Sequence, residues 1–568
     1  DDPMEAACRY APQHSTTGET MPAPRTLIAA LFFVVVAGAC SGDGATGGRE
    51  EATDTTVAEQ PVRGGTLVVA ISSDPGALNP AITTSGAVHT ASELMFNGLV
   101  ELDPEGQPVA ELAESWDVEE DGAVYRFALR DGVTWHDGEP FTSADVKYSF
   151  DEVLLQFHSR TKASVGSALK SIETPDDQTV VFRFSEPYAP FLQQLGVTEA
   201  PILPEHLYAG SDPQQNPANQ APVGTGPFRF VSYAPGQEVV LEANADYFKA
   251  DLPYLDGVVL RVVPEKGNQV IALEEGEVDW LFGVPGPDLA RLEGSGDIEF
   301  LETSVNPGGA NCIMTTSFNL DRPIFQSPEV REAVASALDR QQFLERVEFG
   351  QGAVAEAPIH SGIPVARAEG LEIPGFDPAR AATLLDEAGW VRDGEGTRTA
   401  QGVQGVSDGT PLAFEFLSFP TFAQYGELFR SQLAEVGIDV SLQTLEPAVF
   451  AETVFTQRDF DTNVISYCNG TDPAVGVRRM YTSANIGPVP FSNSSAYRNT
   501  EVDRLFDEAI TTVDPAQRQA LYQSIQEILV DELPYVWLVE TVSTRAYQAD
   551  CQGFGESGHF AETAFCVP

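Results

Sequence analysis

Four cysteines in the second half of the chain are the residues whose type and spacing could do covalent chemistry. They are Cys312, Cys468, Cys551 and Cys566. Because the N-terminal sequence indicates export, their even number favours disulfides over metal ligation or catalysis. Three pairings are possible; we favour Cys551 with Cys566, which closes a short Gly-rich loop and leaves Cys312 with Cys468. Closing a loop of that size contributes about 3 kcal/mol by chain entropy.

The N-terminal sequence that indicates export is a short apolar stretch, residues 27–39. It is shorter than the roughly 20 residues of a membrane-spanning helix, so it is typical of a signal peptide, here 21–39. Its small residues immediately before Cys40 resemble the bacterial lipobox. That resemblance implies cleavage before Cys40 and lipid on its thiol; an ordinary cleaved signal with an incidental cysteine is the alternative. Residues 40–62 are then expected to be a flexible linker, because Gly, Ser, Thr and acidic residues cannot build a core.

Other patterns that could support catalysis or metal binding are weak. His136 stands beside Asp137, but no second histidine follows at metal-ligand spacing and no HExxH motif is present. His89 lies next to a Thr-Ser-Gly loop and keeps nickel binding open as an alternative. The Gly-Thr-Gly run at 224–226 lacks the rest of a dinucleotide fingerprint, and no Gly-x-Ser-x-Gly elbow supports hydrolysis. We therefore expect no enzyme activity, no metal site and no cofactor.

The net charge argues against one class of partner. The chain has 84 acidic and 32 basic residues, for a formal net charge of −52. Nucleic acid binding needs clustered Lys and Arg, and the sequence shows no such cluster. The acidic excess is typical of a solvated surface and does not indicate the ligand. At 568 residues, 42% of them hydrophobic, the chain is long enough for about two to four domains with large cores.

The elements that must position these residues begin with a first α/β body. Its predicted strands, rich in β-branched and aromatic residues, are 65–70, 228–231, 238–241, 258–263 and 278–282. A helix is predicted at 268–275, where apolar residues recur at helical intervals before a glycine. Thr142 and Asp145 form a capping box that starts another helix.

The second half of the chain predicts another α/β body. Asp377-Pro378 and Asp514-Pro515 each place an N-cap and a first-turn proline before an apolar helix face. The predicted strands that alternate with these helices are 413–417, 439–442 and 463–467. Two bodies with separate cores are therefore expected.

A series of motifs, in order along the chain, resembles one protein family. The motifs include Glu114-Ser115-Trp116, Trp135-His136-Asp137-Gly138, Gly224-Thr225-Gly226-Pro227-Phe228, Asn244-Ala245-Asp246-Tyr247-Phe248, Phe318-Asn319-Leu320-Asp321-Arg322-Pro323 and Asp459-Phe460-Asp461. They resemble the family 5 extracellular solute-binding proteins, the peptide- and nickel-binding type that serve ABC importers. The resemblance covers about residues 64–538 and bears on fold and general role, but not on the ligand.

The resemblance implies an α/β, two-lobed periplasmic-binding-protein type II-like fold with an extra subdomain in the first lobe. Lobe I is expected at 63–304 and 541–568, with the inserted subdomain at about 90–220, and lobe II at 305–540. It further implies a monomer that captures a peptide or similar polar solute in an interlobe cleft by hinge closure. Such a protein delivers its solute to the permease subunits of an ABC importer. With lipid on Cys40, it would be held at the outer face of the cell membrane.

Other functions remain open at this point. An exported enzyme or a signalling receptor could reuse the same fold. A nickel or metal-chelate binder is a further alternative, because some members of the family bind nickel.

Six residues are candidate ligand contacts because they match positions that touch ligand in peptide-binding relatives: Thr84, Ser85, Gly86, Ile465, Tyr467 and Asn469. The Thr-Ser-Gly run offers hydroxyl and backbone donors to a carboxylate or carbonyl, and a plain surface turn is the alternative. An Asp that pairs with the ligand's α-amino group in peptide binders is Asn469 here. A charge-assisted bond is thereby replaced by a neutral one of about half the strength.

The charges near these positions argue against a free dipeptide. Dipeptide binders also use an Arg for the ligand carboxylate, and no Arg lies between Arg398 and Arg430. Without the Asp and the Arg that bind the two charged ends of a dipeptide, the cargo is expected to be a longer peptide held through its backbone, or a neutral polar solute such as an oligosaccharide. Four aromatic residues could stack on such a solute, although core packing is the alternative for each: Phe419, Phe422, Tyr425 and Tyr467.

Overall fold

Two separate β-sheets, each with helices against it, organise the chain. The computed structural model describes residues 61–103, 106–166, 168–303, 311–394, 396–555 and 561–567. The predicted signal peptide (21–39), Cys40 and the predicted linker as far as residue 60 lie outside those residues. Residues from Gln60 onward form one compact unit, and its described part contains no helix with the length and apolarity needed to cross a membrane.

The strands are β1 (Thr66–Ile71), β2 (Val100–Leu102), β3 (Pro108–Ala110), β4 (Ala113–Glu119), β5 (Val124–Leu129), β6 (Leu169–Asp176), β7 (Thr179–Phe184), β8 (Phe228–Ala234), β9 (Glu238–Ala243), β10 (Gly257–Val262), β11 (Trp280–Leu281), β12 (Ile298–Thr303), β13 (Asn311–Phe318), β14 (Ala353–Val354), β15 (Trp390–Val391), β16 (Thr399–Ala400), β17 (Ala413–Ser418), β18 (Asp439–Thr444), β19 (Thr462–Asn469), β20 (Tyr535–Thr541), β21 (Ser543–Gln548), β22 (Cys551–Gln552) and β23 (Phe565–Cys566). The α-helices are α1 (Gly86–Ser92), α2 (Ser143–Tyr148), α3 (Leu155–Phe157), α4 (Ser159–Ser164), α5 (Glu205–Tyr208), α6 (Lys266–Glu274), α7 (Gly286–Leu292), α8 (Pro328–Ala337), α9 (Arg340–Arg346), α10 (Pro378–Glu387), α11 (Ala423–Glu435), α12 (Pro447–Ala451), α13 (Val477–Tyr481), α14 (Thr500–Thr511) and α15 (Pro515–Glu532).

Lobe I is built on a seven-stranded sheet in the order β12-β21-β11-β1-β10-β9-β8. Strand β1 pairs in parallel with β10 and β11, whereas β9 and β21 run antiparallel to their neighbours. A subdomain between β1 and β8 carries the antiparallel sheet β4-β5-β7-β6. The predicted capping box of Thr142 and Asp145 is present at the start of α2. Buried side chains between Leu67 and Ala564 form one core that the sheet and the subdomain share.

Lobe II is built on a six-stranded sheet in the order β14-β20-β13-β19-β17-β18, and its core residues all lie between Ile313 and Val539. Its predicted helix starts are confirmed. Asp377 caps α10 and Asp514 caps α15, each accepting from the third residue beyond at 2.9 and 2.8 Å. The chain leaves this lobe between β20 and β21, where Val542 alone separates the two strands. The expected two-lobed α/β fold is therefore confirmed.

Two disulfides are present. Cys312 is bonded to Cys468 and Cys551 to Cys566, the pairing that the sequence favours. The first joins neighbouring strands β13 and β19 of lobe II, and the second joins β22 to β23 in the C-terminal segment.

Lobe II contains a buried ion pair next to the end of β19. Arg518 of α15 donates to the two carboxylate oxygens of Asp472 at 2.6 and 2.8 Å, and both side chains are buried. Such bidentate geometry fixes orientation as well as distance. The loop that follows β19 is therefore fastened to the helix layer of lobe II.

Lobe I contains a buried ion cluster with unequal charges. Lys249 Nζ lies 2.8 to 3.1 Å from carboxylate oxygens of Glu101, Glu111 and Glu562. Burial raises the pKa of Glu111 to about 8, opposed by the charge of Lys249 and reinforced by the two other carboxylates. Because Glu562 lies between the two cysteines of the C-terminal disulfide, the cluster fastens that segment to lobe I.

Candidate ligand-binding cleft

The strand that crosses between the lobes presents one face to the cleft. Thr541 of β20 pairs with Cys312 of β13, and Cys312 pairs with Cys468 of β19. Side chains opposite each other on neighbouring strands share a face of the sheet. Two residues further on, Ser543 donates its hydroxyl to the backbone oxygen of Phe282 in lobe I at 2.7 Å. These four residues, Cys312, Cys468, Thr541 and Ser543, define what we call the cleft face.

Lobe I contributes a concavity of about 270 Å³ beside this face. Its lining includes Ser72 and Ser73 after β1, Gly86 at the start of α1, and Gly283 after β11. A Cβ on Gly283 would lie 2.6 Å from the hydroxyl oxygen of Ser543, so glycine permits the close approach of the crossing strand. The concavity lies at the carboxyl ends of parallel strands, where α/β sheets bind ligands.

The predicted contacts in lobe I surround the start of α1. Gly86 lines the concavity. Thr84 and Ser85 are exposed to solvent. Ser85 holds the N-cap position without a side-chain cap bond, and its N–H donates to Thr83 Oγ1 at 3.1 Å. Contact of these three residues with a ligand stays a prediction.

The side chains predicted as contacts in lobe II point into the core. Ile465 and Tyr467 have no exposed surface, and Asn469 is 3% exposed. The Tyr467 hydroxyl donates to the backbone oxygen of Ser492 at 2.9 Å. Alternation along β19 instead places Ser466 and Cys468 on the cleft face. The side chains of Ile465, Tyr467 and Asn469 are covered in this arrangement, and contact of these three residues with a ligand stays a prediction.

One backbone edge of β19 lacks a strand partner over part of its length. Over its whole length β19 pairs with β13, but in the described part of the chain β17 pairs with it at Thr462 and Asn463 only. Residues 464–469 therefore have a strand partner on one side alone. Unpaired backbone groups at a sheet edge are ready to pair with an extended chain.

Arg479 lies beside the end of β19 and was not among the contacts predicted from the sequence. It lies in α13, is partly buried, and donates from Nη2 to the backbone oxygen of Cys468 at 3.5 Å. Its Nε is buried without a hydrogen-bond partner, and the described residues offer it no ion pair. Burial lowers the pKa of Arg479, and the positive charge of Arg160 in the subdomain lowers it further against an opposing effect of Tyr467.

Arg479 lies outside residues 398–430, the range in which the family resemblance places the Arg for the ligand carboxylate. The signal that was available is the Arg478-Arg479 pair shortly after β19, in a chain with only 32 basic residues. Arg478 is paired with Asp507 at 2.6 Å. A sequence does not tell which of two adjacent arginines keeps an acidic partner.

Contacts between the lobes among the described residues include two hydrogen bonds. Ala189 N–H in the subdomain donates to the backbone oxygen of Ile510 in lobe II at 2.8 Å. Near the crossing strand, Gln351 Nε2 of lobe II donates to the backbone oxygen of Val284 in lobe I at 3.3 Å. These hydrogen bonds connect the two lobes in this arrangement.

The histidines singled out in the sequence are held by local hydrogen bonds. His136 Nδ1 accepts from Gly224 N–H at 3.2 Å, and Nε2 lies 3.0 Å from the Gly226 oxygen. Burial lowers the pKa of His136 to about 4, so its ring is neutral. His89 Nε2 lies 3.0 Å from the Thr83 oxygen. Over the described ranges, no group of three or more His, Cys, Asp or Glu side chains has an arrangement that suits a metal ion.

Comparison with known proteins places the chain in one family. The model of the bacterial extracellular solute-binding proteins, family 5, matches residues 107–488. The oligopeptide-binding protein AppA of Bacillus subtilis is 27% identical over 542 residues, which cover 92% of this chain and 94% of AppA. The heme-binding protein A of Haemophilus influenzae is 28% identical over 518 residues, covering 87% of this chain and 90% of that protein.

Solved structures give the same result. The crystal structure of NikA from Brucella suis in complex with Fe(III)-EDTA aligns with a TM-score of 0.76 and 25% identity. The alignment covers 87% of this chain and 98% of that one. The similarity therefore extends over both lobes.

Proposed function

The chain belongs to the bacterial extracellular solute-binding proteins of family 5 and acts as a substrate-binding protein of an ABC importer, and from that membership we propose that its cargo is a peptide longer than two residues. The cargo would lie between the lobes, with lobe I formed by 63–304 and 541–568 and lobe II by 305–540. Closure by rotation about the crossing segments would enclose it, and the closed form would engage the permease.

The observation that carries the choice of a peptide is the backbone edge of residues 464–469, which has a strand partner on one side alone. An extended peptide can pair with such an edge through its own backbone, which gives affinity without reading side chains. Arg479, beside that edge and without an acidic partner among the described residues, would pair with the peptide's terminal carboxylate. The similarity to a protein described as oligopeptide-binding supports the same choice.

A thermal-shift assay with defined pools tests this proposal. We expect a pool of hexapeptides to raise the Tm more than a dipeptide pool, a malto-oligosaccharide or nickel-histidine. A ligand at 100 times its Kd adds about 2.7 kcal/mol to the free energy of unfolding. Ser466→Trp, which fills the cleft face, should abolish the shift, and Ser466→Ala is the matched control that keeps it.

Two results would contradict the proposal. The first is a Tm that no pool changes, and the second is hydrolysis of the peptides, detected by mass spectrometry, which would indicate an enzyme. A hexapeptide pool with amidated C-termini provides a separate test of Arg479. We expect amidation to weaken binding to the wild type but not to Arg479→Gln.

We also propose that the protein acts as a monomer anchored by lipid on Cys40, with 21–39 removed and 40–62 as a tether. The apolar stretch and the small residues before Cys40 support this. Mass spectrometry of the membrane fraction should detect a diacylated N-terminal peptide that starts at Cys40. Cys40→Ala should release the protein from membranes; retention of this variant in the membrane fraction would contradict the anchor.

A further inference from the structure

A second cavity between the lobes lies on the other face of the crossing strand. Glu540, Val542 and Thr544 alternate with Thr541 and Ser543, so their side chains point away from the cleft face. They line a cavity of about 330 Å³, which we call the hinge-side cavity. Its walls come from both lobes and include Leu289 and Glu293 of lobe I and Phe349, His360 and Ser361 of lobe II.

The floor of the hinge-side cavity is a buried carboxylate. Glu540 is 6% exposed, and its oxygens accept from the N–H and the hydroxyl of Ser361 at 2.8 and 2.5 Å. An ionised carboxylate offers about four lone-pair positions, so capacity for further donors remains. The described residues that line the cavity include a second carboxylate, Glu293, and no lysine or arginine. The electrostatic character of the cavity is therefore anionic.

A hydrogen-bond donor faces this carboxylate. His360 is 4% exposed, and its Nδ1 accepts from Gly362 N–H at 2.9 Å, which places the ring proton on Nε2. Burial lowers the pKa of His360 against an opposing effect of Glu540, so the ring is neutral. Nε2 has no hydrogen-bond partner and lies 4.0 Å from Glu540 Oε2. The floor of the cavity thus offers a donor, His360 Nε2–H, and an acceptor, the Glu540 carboxylate, which are not hydrogen-bonded to each other.

The mouth of the cavity is apolar and conformationally strained. Phe349 is 45% exposed and has a φ of 55°, a backbone conformation that bulky residues rarely adopt. It packs over Gly286 of lobe I, where a Cβ would lie 2.3 Å from the ring. Strained residues of this kind cluster at ligand clamps. With Leu289, the ring forms a surface suited to a short hydrocarbon body.

We propose that the hinge-side cavity is a second ligand site, which binds a small organic cation of the amino-alcohol type and thereby favours the arrangement of the lobes described here. The ammonium group pairs with Glu540, the neighbouring hydroxyl accepts from His360 Nε2–H, and the hydrocarbon body lies against Leu289 and Phe349. This site goes beyond the cargo cleft, because the two lie on opposite faces of the crossing strand.

Binding at this site is linked to the arrangement of the lobes, because residues of both lobes line the cavity. Gln351, which lines the cavity, donates to Val284 at 3.3 Å and accepts from Thr544 N–H at 3.4 Å. A guest that touches both lobes has all its contacts only while the lobes remain in this arrangement. A ligand shifts such an equilibrium by its differential affinity for the two states.

Isothermal titration calorimetry with three matched compounds tests the proposal. Leucinol has the ammonium group, the hydroxyl and a branched hydrocarbon; 4-methyl-1-pentanol lacks only the amine, and 4-methylpentan-2-amine lacks only the hydroxyl. We expect leucinol to bind, the amine to bind about tenfold more weakly because a donor is left unpaired, and the alcohol not to bind at 10 mM. Hydrogen exchange should show protection of the Thr544 amide by leucinol.

Variants separate this site from the cleft. Glu540→Gln should weaken leucinol binding at least tenfold, whereas Arg479→Gln and the exposed control Glu435→Gln should leave it within twofold. If Glu540→Gln lowers the Tm, Phe349→Ala at the exposed mouth replaces it, with an expected loss of about fivefold. Failure of leucinol to bind the wild type at 10 mM overturns the proposal. Equal affinities in the wild type and the site variant overturn it as well.

Discussion

One buried ion group in each lobe can be compared: the pair in lobe II is balanced in charge, and the cluster in lobe I is not. Arg518 and Asp472 form a one-to-one pair in lobe II, whereas Lys249 faces three carboxylates in lobe I. A guanidinium cannot lose its proton in a protein, but a carboxylate can gain one. The cluster in lobe I can therefore relieve its excess charge by protonation, as the raised pKa of Glu111 indicates, whereas Arg518 in the lobe II pair cannot give up its charge. The comparison predicts which charge removals the protein tolerates.

The largest effect is expected when the pair in lobe II is broken. Asp472→Asn leaves the buried charge of Arg518 opposite a neutral amide, and it should lower the free energy of unfolding by about 3–5 kcal/mol. Urea unfolding at pH 6 and pH 8 should give the same loss. Asp507→Asn, which removes the exposed partner of Arg478, is the control and should cost less than about 1 kcal/mol. Equal costs of the two variants would contradict the distinction between the pairs.

A smaller effect is expected from opening the C-terminal disulfide. The double variant Cys551→Ser/Cys566→Ser should lose about 3 kcal/mol by chain entropy, while Lys249 and Glu562 still hold the segment to lobe I. Limited proteolysis should show cleavage beyond residue 550 in the variant before any cleavage in lobe II. Simultaneous cleavage in both lobes would mean that the segment stabilises the whole molecule and not lobe I alone.

Removing the charge of Lys249 in lobe I should lower the free energy of unfolding by less than breaking the Arg518–Asp472 pair in lobe II. Lys249→Met leaves three carboxylates together, and they can bind protons to lower their repulsion. We expect a loss of about 2 kcal/mol at pH 6 that grows by about 1 kcal/mol or more at pH 8.5. Thermal unfolding at the two pH values measures the difference. A loss that does not depend on pH would refute the assigned role of protonation.

The smallest effect at acidic pH is expected at Glu111. Its pKa rises from 4.5 to about 8 in the folded chain, chiefly through burial. The folded state therefore binds this proton more tightly than the unfolded state. The stabilisation is complete below pH 4.5 and is lost as the pH rises through 8, with a slope of up to about 1.4 kcal/mol per pH unit.

Glu111→Gln mimics the protonated carboxyl group and isolates this slope. At pH 4.5 the variant should differ from the wild type by less than about 1 kcal/mol. Between pH 6 and pH 9 its Tm should fall less steeply than that of the wild type. Parallel Tm curves for the two proteins would assign the pH dependence to another group.

Helix starts were predictable from the sequence because capping is local. Asp377 and Asp514 accept from donors only three residues away. The family motifs likewise predicted the two lobes, because they recur in order along most of the chain. Capping depends on neighbouring residues, and the family motifs depend on similarity along most of the chain. Both can be recognised from the amino-acid sequence.

The faces of β19 and the buried ion partners were not predictable in this way. Val464, Ile465 and Tyr467 put apolar residues on both faces of the strand, so the pattern does not show which face the helices cover. The partners of the ion clusters are far apart: Asp472 and Arg518 by 46 residues, and Lys249 and Glu562 by 313. These residues come into contact only through the way each lobe folds internally. The same is true of the position of Arg479 beside Cys468.

The single residue between β20 and β21 limits how the lobes can move at that crossing. Val542 has two soft torsions, φ and ψ, and hydrogen-bonded strands begin on either side of it. At this crossing the lobes can therefore rotate relative to each other about the torsions of Val542, but they cannot move apart. We expect relaxation-dispersion measurements on amides flanking Val542 to yield one shared exchange rate, because both lobes must turn about the same pair of bonds.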